Sequence, residues 1–165
     1  MSSLDVAITI RPADPRDVPA LGRMGAALMR THYAFDPDRF LAADEGAEAG
    51  YGEFLGSQLL DADNLVLVAE VEGRVVGYVY AGIEPLSWKE LRDEAGFVHD
   101  LLVEDDARNE GAGRQLLEAA IAWLGQRGMP RVVLWTAACN EGAQRLFARR
   151  GFRSTMVEMT LELHR

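Results

Sequence analysis

Residues 97 to 117 read FVHDLLVEDDARNEGAGRQLL, and this stretch decides the fold. Its first seven residues predict a strand, and the polar run at 104–110 cannot extend that strand. A helix is expected from Gly111, because the apolar positions from Leu116 to Leu124 form one stripe at helical spacing. A nearly continuous apolar run at 131–136 predicts another strand. Strand, helix and strand in this order make a crossover unit whose two strands are parallel.

The segments on either side predict further strands and helices. In chain order we expect a strand at 6–10, a helix from Val18 capped by Asp17, a weak helix at 45–60, a hairpin of strands 65–71 and 74–81, the crossover unit, a helix capped by Asn140 and a last strand at 156–163. Aromatic residues predict a loop around 32–40, and a long connection fills 82–96. The order β-α-α-β-β-β-α-β-α-β predicts an α/β fold with a mixed sheet flanked by helices, and residues 1–165 as one domain.

Composition and charge narrow the function classes. Seventeen Lys and Arg against 26 Asp and Glu give a net charge of −9, which disfavours nucleic-acid binding. No apolar run approaches the roughly 20 residues that cross a membrane, and the first residues lack a signal-peptide pattern. One cysteine, Cys139, excludes an intramolecular disulfide and fits a reducing cytoplasm. We therefore expect a cytoplasmic protein with neither nucleic-acid nor membrane partners, and Cys139 as a small buried residue.

The turn before the predicted helix of the crossover unit has the features of an anion-binding site. Arg108, Gly111 and Gly113 form R-x-x-G-x-G, and glycines let backbone N–H groups approach an anion closely. The helix N-terminus adds unpaired donors, and Arg108 and Arg114 add charge. Four acids surround the turn, so backbone donors would have to hold an anion: Glu104, Asp105, Asp106 and Glu110. The alternative is a glycine turn that serves only helix–strand packing.

Two familiar phosphate-binding patterns do not fit this turn. A dinucleotide-binding fold needs a third glycine where Leu116 stands, and a phosphate loop needs Gly-Lys-Ser/Thr, which the sequence lacks. A nucleotide-binding oxidoreductase is therefore the least favoured of the alternative functions.

Four stretches in order resemble the GNAT family of acetyl-CoA-dependent N-acetyltransferases. ITIRPAD…DVPAL resembles the first strand and helix of the family, and LVLVAEVEGRVVGYVYA resembles its central hairpin, which usually carries a glycine where Gly77 stands. DLLVEDDARNEGAG matches the cofactor signature at Leu101, Val103, Arg108, Gly111 and Gly113. NEGAQRLFARRGF matches a second signature at Asn140, Ala143, Phe147, Gly151 and Phe152.

The resemblance implies where acetyl-CoA would bind as cosubstrate. Residues 108–114 would carry the pyrophosphate on backbone N–H groups, residues 101–103 would pair with the pantetheine arm and polarise the thioester carbonyl, and Asn140 would lie beside that arm. The cofactor-binding residues implied in this way are Leu101, Leu102, Val103, Arg108, Asn109, Glu110, Gly111, Ala112, Gly113, Arg114, Asn140 and Phe147. No metal is implied. Arg145 and Arg149 could meet the 3′-phosphate or form a solvated helix face.

The sequence departs from the family pattern at several positions. Asp105 replaces a proline, Asn109 replaces a glycine, and Glu110 stands where a basic residue is frequent, which should weaken cofactor binding unless Glu110 points away. Phe147 replaces a tyrosine that can protonate the leaving thiolate. Another group, or solvent, must then do so; the tyrosine alternatives are Tyr33, Tyr78 and Tyr80, for each of which core packing is the competing interpretation.

The amine acceptor must lose a proton before it attacks, which calls for a base. His99 is the first candidate, because period two places Phe97, His99, Leu101 and Val103 on one strand face and because arylalkylamine members resemble this chain there. Asp100, on the opposite face, is the second catalytic candidate. Their alternatives are a histidine packed under the sheet and a carboxylate that holds a neighbouring loop.

Carboxylates and aromatics in the loop at 33–40 and the connection at 82–96 would form the acceptor site, or would be ordinary solvated loops. The resulting hypothesis is an N-acetyltransferase that moves an acetyl group to the primary amine of a small molecule or peptide in a ternary complex. Two alternatives stay open: a catalytically silent acyl-CoA-binding module, and an acidic interaction protein that kept the fold. The family often dimerises, so a homodimer is an open expectation.

Overall fold

The computed structural model describes residues 7 to 163 of the chain. In chain order the elements are β1 (Ile8–Pro12), α1 (Val18–Phe35), α2 (Ala47–Gln58), β2 (Asn64–Val71), β3 (Arg74–Glu84), β4 (Ala95–Val103), α3 (Ala112–Gln126), β5 (Val132–Leu134) and α4 (Glu141–Arg149). Short 3-10 turns precede α1 and follow β4.

The five strands form one sheet in the order β1-β2-β3-β4-β5. β1 to β4 are antiparallel neighbours, and β5 runs parallel to β4. The predicted fold class, a mixed sheet flanked by helices, is therefore confirmed, as is the crossover unit built from β4, α3 and β5. The β2–β3 turn at Glu72 and Gly73 has φ of 50° and 79°, the left-handed pair that a two-residue hairpin favours.

Helices cover both faces of the sheet. α3 lies on one face, where Leu116, Leu117 and Leu124 pack with strand residues such as Val79. α1 and α2 lie on the other face, where Leu21, Met24 and Leu55 pack against Val68 and Tyr78 from the strands. Successive strand residues point to opposite faces, so each strand supplies both layers. None of the helices within residues 7–163 has the length and apolar character needed to span a membrane.

Several sequence-based expectations about local structure are corrected. Asp17 does not cap α1 with its side chain; its carboxylate instead accepts two hydrogen bonds from Arg11, at 2.7 Å and 2.9 Å. α1 continues to Phe35, so His32 and Tyr33 lie in a helix rather than a loop. The connection at 82–96 is shorter than expected, because β3 extends to Glu84 and β4 begins at Ala95. No helix forms between these two strands.

The predicted last strand at 156–163 is wrong. No strand follows α4 within the described part of the chain, and the alternating segment is exposed and carries no regular secondary structure. Alternation is a local property, whereas a strand must also pair, and this segment pairs with none of the described strands. Cys139 is likewise exposed rather than buried, because it lies in the turn before α4.

Candidate functional site

The sheet opens between β4 and β5. β5 pairs with β4 over Gly96 to Val98 and ends at Leu134. β4 continues to Val103 with β3 on one edge, while its other edge has no strand partner among the described residues. The two parallel strands therefore diverge, and the open edge of β4 at 99–103 borders a cleft.

A β-bulge lies at the point where the strands part. Tyr80 pairs with Asp100 and Ala81 pairs with Val98, so His99 has no partner across the β3–β4 ladder. A bulge of this kind bends a strand and re-aims a side chain. It places the imidazole of His99 at the start of the open edge.

The bulge overturns the predicted sharing of one face by Phe97, His99, Leu101 and Val103. Leu101 and Val103 pack towards α3. His99 instead lies against the rings of Phe97 and Tyr80, at centroid distances of 5.6 Å and 4.7 Å. Tyr80 belongs to the core on the α1 and α2 side, so His99 is on that side of the sheet.

The turn between β4 and α3 offers unpaired donors. Asn109 and Gly111 adopt left-handed φ values of 66° and 93°. The backbone N–H groups of residues 109–114 have no hydrogen-bond partner within residues 7–163. These donors open α3, whose N-terminus adds the favourable end of the helix dipole. The turn therefore suits an anion, as the sequence predicted.

The acids around this turn are largely neutralised by arginines. Arg74 lies 2.6 Å from a carboxylate oxygen of Glu104 and 2.9 Å from one of Asp106, and Arg108 lies 2.9 Å from one of Asp105. The Nε of Arg108 also donates to the carbonyl of Val103, at 3.1 Å, which ties the turn to the end of β4. These ion pairs reduce the electrostatic repulsion between the acidic side chains and an anion bound at the turn.

The turn, the open edge of β4 and α4 enclose one cleft of about 1480 Å³. Most of the cofactor-binding residues expected from the sequence line it, together with His99 and Asp100: Leu101, Leu102, Val103, Arg108, Asn109, Gly111, Gly113, Arg114, Asn140 and Phe147. Glu110 and Ala112 do not line it.

Cationic side chains concentrate on the cleft although the chain is acidic overall. The arginines that line it at the turn and on α3 and α4 are Arg108, Arg114, Arg145, Arg149 and Arg150. Arg149 has no carboxylate within ion-pair distance in the described part of the chain. Unpaired backbone donors and this arginine group fit a ligand that carries several phosphates, such as coenzyme A.

Asn140 and Phe147 hold the α4 wall of the cleft. The side-chain oxygen of Asn140 accepts from the N–H of Ala143 at 3.2 Å, so the predicted helix cap is confirmed. Phe147 is buried in the α3-side core, with its ring 5.9 Å from that of Phe152. Phe147 lines the cleft but has no proton to donate.

His99 also faces a second, smaller cavity. That cavity, of about 230 Å³, is lined by Glu84, Glu90, Arg92 and Trp135 as well as by His99. The Nε2 of His99 lies 3.1 Å from a carboxylate oxygen of Glu84. If Nε2 carries the proton that Glu84 accepts, Nδ1 is the nitrogen with a free lone pair. The pair of Glu84 and His99 can thus orient an imidazole as a base.

Asp100 holds neighbouring elements together. Its carboxylate accepts hydrogen bonds from Tyr51 of α2 at 2.7 Å and Tyr78 of β3 at 3.0 Å. Burial raises the pKa of Asp100, and the two phenol donors oppose that rise. Tyr78 belongs to the core on the α1 and α2 side, so Asp100 lies opposite Leu101 and Val103, as predicted, but on the same side as His99, which is not as predicted. These contacts favour the alternative in which Asp100 fixes its neighbours.

The structure adds cleft residues that the sequence reasoning missed. His32 on α1 lines the cleft between the rings of Phe35 and Phe40, and Tyr51 lines it from α2. A Cβ on Gly25 would lie 2.0 Å from the Tyr51 ring, so this glycine is what lets α1 and α2 approach. The spacing of Gly22 and Gly25 on one helix face was the signal for that close approach.

The predicted acceptor loops are only partly brought to the cleft. Phe35 and Phe40 line it, whereas Tyr33 and Trp88 do not. Of the tyrosines offered as substitutes for the missing acid, Tyr78 is buried against Asp100, and Tyr80 donates to Gln58 at 3.3 Å. Nowhere in residues 7–163 do three or more His, Cys, Asp or Glu side chains come together as a metal site would require.

The sequence pattern of the Acetyltransferase (GNAT) family matches residues 26–152. The chain therefore belongs to that family, and the predicted family membership is confirmed.

Individual relatives and solved structures agree with this assignment. The "uncharacterized N-acetyltransferase YhfO" of Bacillus subtilis is 33% identical over 110 residues, which cover 66% of this chain and 68% of that protein. Alignments with two archaeal proteins named N-acetyltransferases, from Methanocaldococcus jannaschii and Archaeoglobus fulgidus, span only 39% and 59% of their lengths.

Two solved structures show the same fold. The tetramutant of the BH1408 protein from Bacillus halodurans superposes with a TM-score of 0.81 at 22% identity, covering 94% of this chain and 99% of that one. AAC(6')-Iy in complex with the bisubstrate analog CoA-S-monomethyl-acetylneamine gives 0.71 at 17% identity, with 96% and 99% coverage. At these identities the likeness concerns the fold.

Proposed function

We propose that this chain is an acetyl-CoA-dependent N-acetyltransferase that moves an acetyl group to a primary amine by direct attack in a ternary complex. The observation that carries the proposal is one cleft in which the open edge of β4 meets the unpaired N–H groups of residues 109–114. An extended pantetheine arm can pair with that edge while its phosphates reach the turn. The structure of AAC(6')-Iy in complex with a coenzyme A bisubstrate analog supports this proposal.

Backbone donors would do most of the binding. The N–H groups from Asn109 to Arg114 receive the diphosphate, and the arginines of α4 reach the remaining phosphate. A main-chain N–H on the open edge, within residues 101–103, donates to the thioester oxygen. A preorganised donor of this kind stabilises the charge that develops on that oxygen, commonly by a factor of about 10² to 10³.

His99 would take the proton from the acceptor amine, directly or through one water. Its position at the bulge puts the imidazole just before the backbone that polarises the thioester. The carboxylate of Glu84 lies 3.1 Å from Nε2, and its charge favours a proton on that nitrogen, which leaves Nδ1 as the basic one. Asp100 is a positioning residue, since it accepts hydrogen bonds from Tyr51, which lines the cleft, and from Tyr78, which is buried.

The leaving thiolate has no tyrosine donor at Phe147. Of the tyrosines in the described part of the chain, Tyr51 alone lines the cleft, and its hydroxyl already donates to Asp100. Burial and the nearby Asp100 carboxylate raise the pKa of Tyr51, which makes it a weak acid. We therefore propose that the thiolate departs among the arginines and is protonated by solvent.

The test is a two-part measurement on the full chain. Calorimetry with acetyl-CoA measures binding, and release of free thiol over a panel of polyamines, aminoglycosides, amino acids and peptide amines measures transfer. Binding with transfer to at least one amine class supports the enzyme. Binding with no thiol release across the panel overturns it in favour of the silent acyl-CoA-binding module, and no binding at all favours the interaction protein.

A further inference from the structure

The cleft has two ends of different chemistry. One end, at the glycine turn and α4, carries the arginine group that suits phosphates. The other end is built by α1, α2 and the segment that joins them, and we call it the helical wall. Most of its large lining side chains are apolar: Leu28, Met29, Phe35, Phe40, Leu41 and Phe54. A concave surface of apolar and aromatic side chains with few polar groups is typical of a small-molecule site.

Two residues of the helical wall expose apolar surface to solvent. Leu41, in the segment after α1, is 79% exposed, and Phe54, on α2, is 44% exposed. Single exposed apolar side chains are common on protein surfaces. These two, however, line one concave surface together with other apolar residues, and apolar surface gathered in this way marks a binding site. A ligand body that covers the wall would gain the free energy of burial.

A row of aromatic rings connects the helical wall to His99. The Phe54 ring meets the rings of Tyr51 and Tyr80 edge-on, at centroid distances of 5.7 Å and 5.8 Å. The Tyr80 ring in turn lies 4.7 Å from the imidazole of His99. Phe54 and His99 therefore contact the same ring. A ligand body packed on Phe54 would hold a short attached amine close to the candidate base.

Carboxylates are scarce in the cleft. In the described part of the chain only Asp44 and Asp100 line it. Asp100 is engaged by two tyrosine hydroxyls, and Asp44 accepts from a backbone N–H at 2.9 Å. Arg39, another lining residue, is a cation whose guanidinium lies 5.0 Å from the centroid of the Phe40 ring. The cleft thus leaves one carboxylate, that of Asp44, to balance the charge of a cationic acceptor.

Both carboxylates of the small cavity beside His99 already have partners. Glu84 lies 3.1 Å from His99, and Glu90 lies 2.9 Å from Arg92. A second ammonium group on an acceptor would therefore compete with these pairs or lie unpaired against apolar side chains. An unpaired charge in such surroundings costs free energy.

We infer that the acceptor is a small monoamine, with one ammonium group on a short chain that ends in an aromatic ring or another large apolar body. The body packs on the helical wall, where Phe54 determines specificity, and the amine lies at His99. Acceptors with several ammonium groups, such as polyamines and aminoglycosides, are poor substrates. The inference rests on the proposed function and names the acceptor class of that site.

The first test adds three amines to the panel described above and measures kcat/KM for each by thiol release. Pentylamine and cadaverine differ only by a second ammonium group, and phenethylamine carries a ring as its body. Pentylamine should exceed cadaverine by at least about tenfold, because the second charge has no partner, and phenethylamine should be the best of the three. If cadaverine is used as well as pentylamine or better, the inference is wrong, although transfer itself supports the proposed function.

The second test moves a carboxylate to the helical wall. Phe54→Glu replaces apolar surface with an acid, so kcat/KM for phenethylamine should fall about tenfold, and the ratio of cadaverine to phenethylamine should rise. The matched control Leu60→Glu adds the same charge just after α2, at a residue that is 90% exposed and does not line the cleft. Its amine preference should equal that of the wild type. An unchanged preference in Phe54→Glu, or equal changes in both variants, would refute the role of Phe54.

The third test is calorimetry of the wild type with amines in the presence of coenzyme A, which decides the inference even if Phe54→Glu fails to fold. Phenethylamine should bind at least about tenfold more tightly than cadaverine. Equal binding, tighter binding of cadaverine, or no binding of phenethylamine contradicts the inference. The proposed function fails on separate results: acetyl-CoA does not bind, or no amine of the enlarged panel releases thiol.

Discussion

The two halves of β4 have opposite roles in one strand. Residues 96–98 are paired on both edges, by β3 and by β5, and are buried. Residues 99–103 are paired by β3 alone, and their other edge borders the cleft. The first half fixes the second half in place, so an unpaired backbone edge can be presented to a ligand without being mobile. The bulge at His99 marks the boundary, and it is there that the candidate base stands.

The largest effect is expected from the residue at this boundary. His99→Ala should lower kcat by about 10² to 10⁴-fold, because general-base catalysis contributes on that scale. Steady-state kinetics of the variant and the wild type checks this expectation.

His32, the other imidazole of the cleft, provides the comparison. If kcat is unchanged in His99→Ala and falls in His32→Ala, the base lies on α1 and not on the strand boundary. The assignment of His99 would then be wrong, while the fold and the phosphate site would stand.

The open half of β4 leads into the glycine turn, so the next effect concerns ligand affinity. A Cβ on Gly113 would lie 3.5 Å from Val103 and 3.9 Å from Leu146, so alanine fits the fold. Gly113 also lines the cleft, so the added methyl group would reduce the space for a ligand at the turn. Gly113→Ala should weaken coenzyme A binding about tenfold, or by about 1.4 kcal/mol, in calorimetry. Gly125→Ala, later in α3 with open space around it, is the matched control and should bind as the wild type does.

A smaller effect is expected from the partner of His99. Glu84→Gln removes the charged acceptor at Nε2, and kcat should fall by roughly threefold to tenfold, a modest cost for a partly exposed pair. Glu90→Gln is the control, because Glu90 lines the same small cavity but pairs with Arg92 at 2.9 Å. Equal losses in both variants would show that the cavity needs negative charge in general, and not an oriented imidazole.

The smallest expected effect is on the pH dependence of the folding stability. Burial raises the pKa of Asp100, so the folded state favours the neutral acid, and stability is lost as pH rises from about 4 through the raised pKa. Asp100→Asn cannot ionise, so its stability relative to the wild type should increase over that range in chemical denaturation.

The contribution of Asp17 to folding stability should change with pH in the opposite direction. Hydrogen bonds from Arg11 lower the pKa of Asp17, so the stability from its carboxylate is complete above about pH 4 and is lost below it. Asp17→Asn should therefore be less stable than the wild type above pH 4, and the two should converge in acid. Parallel profiles for Asp100→Asn and the wild type would contradict the buried-carboxylate account.

The contrast within β4 also explains what the sequence could and could not reveal. The glycine turn, the α3 stripe and the Asn140 cap are local patterns, so the fold and most of the cleft residues were predictable. The bulge at His99 depends on the register with β3, and the hydrogen bond from Tyr51 to Asp100 joins residues 49 positions apart. Nothing local encodes either one.

The prediction of a strand at the C-terminal segment was wrong for a related reason. Its alternation correctly indicates a surface with one apolar face, but pairing requires an edge, and the location of that edge is a property of the assembled sheet. The exposure of Cys139 and the extension of α1 through His32 show the same limit on a smaller scale, because flanking composition alone does not set where a helix ends.

The arginine group of the cleft on a chain of net charge −9 has a kinetic consequence. At long range the whole protein repels a polyanion, whereas at contact the cleft attracts it. Added salt screens both fields, but the distant one first. Raising ionic strength should thus speed the encounter while shortening the lifetime of the complex, and stopped-flow traces would separate the two trends.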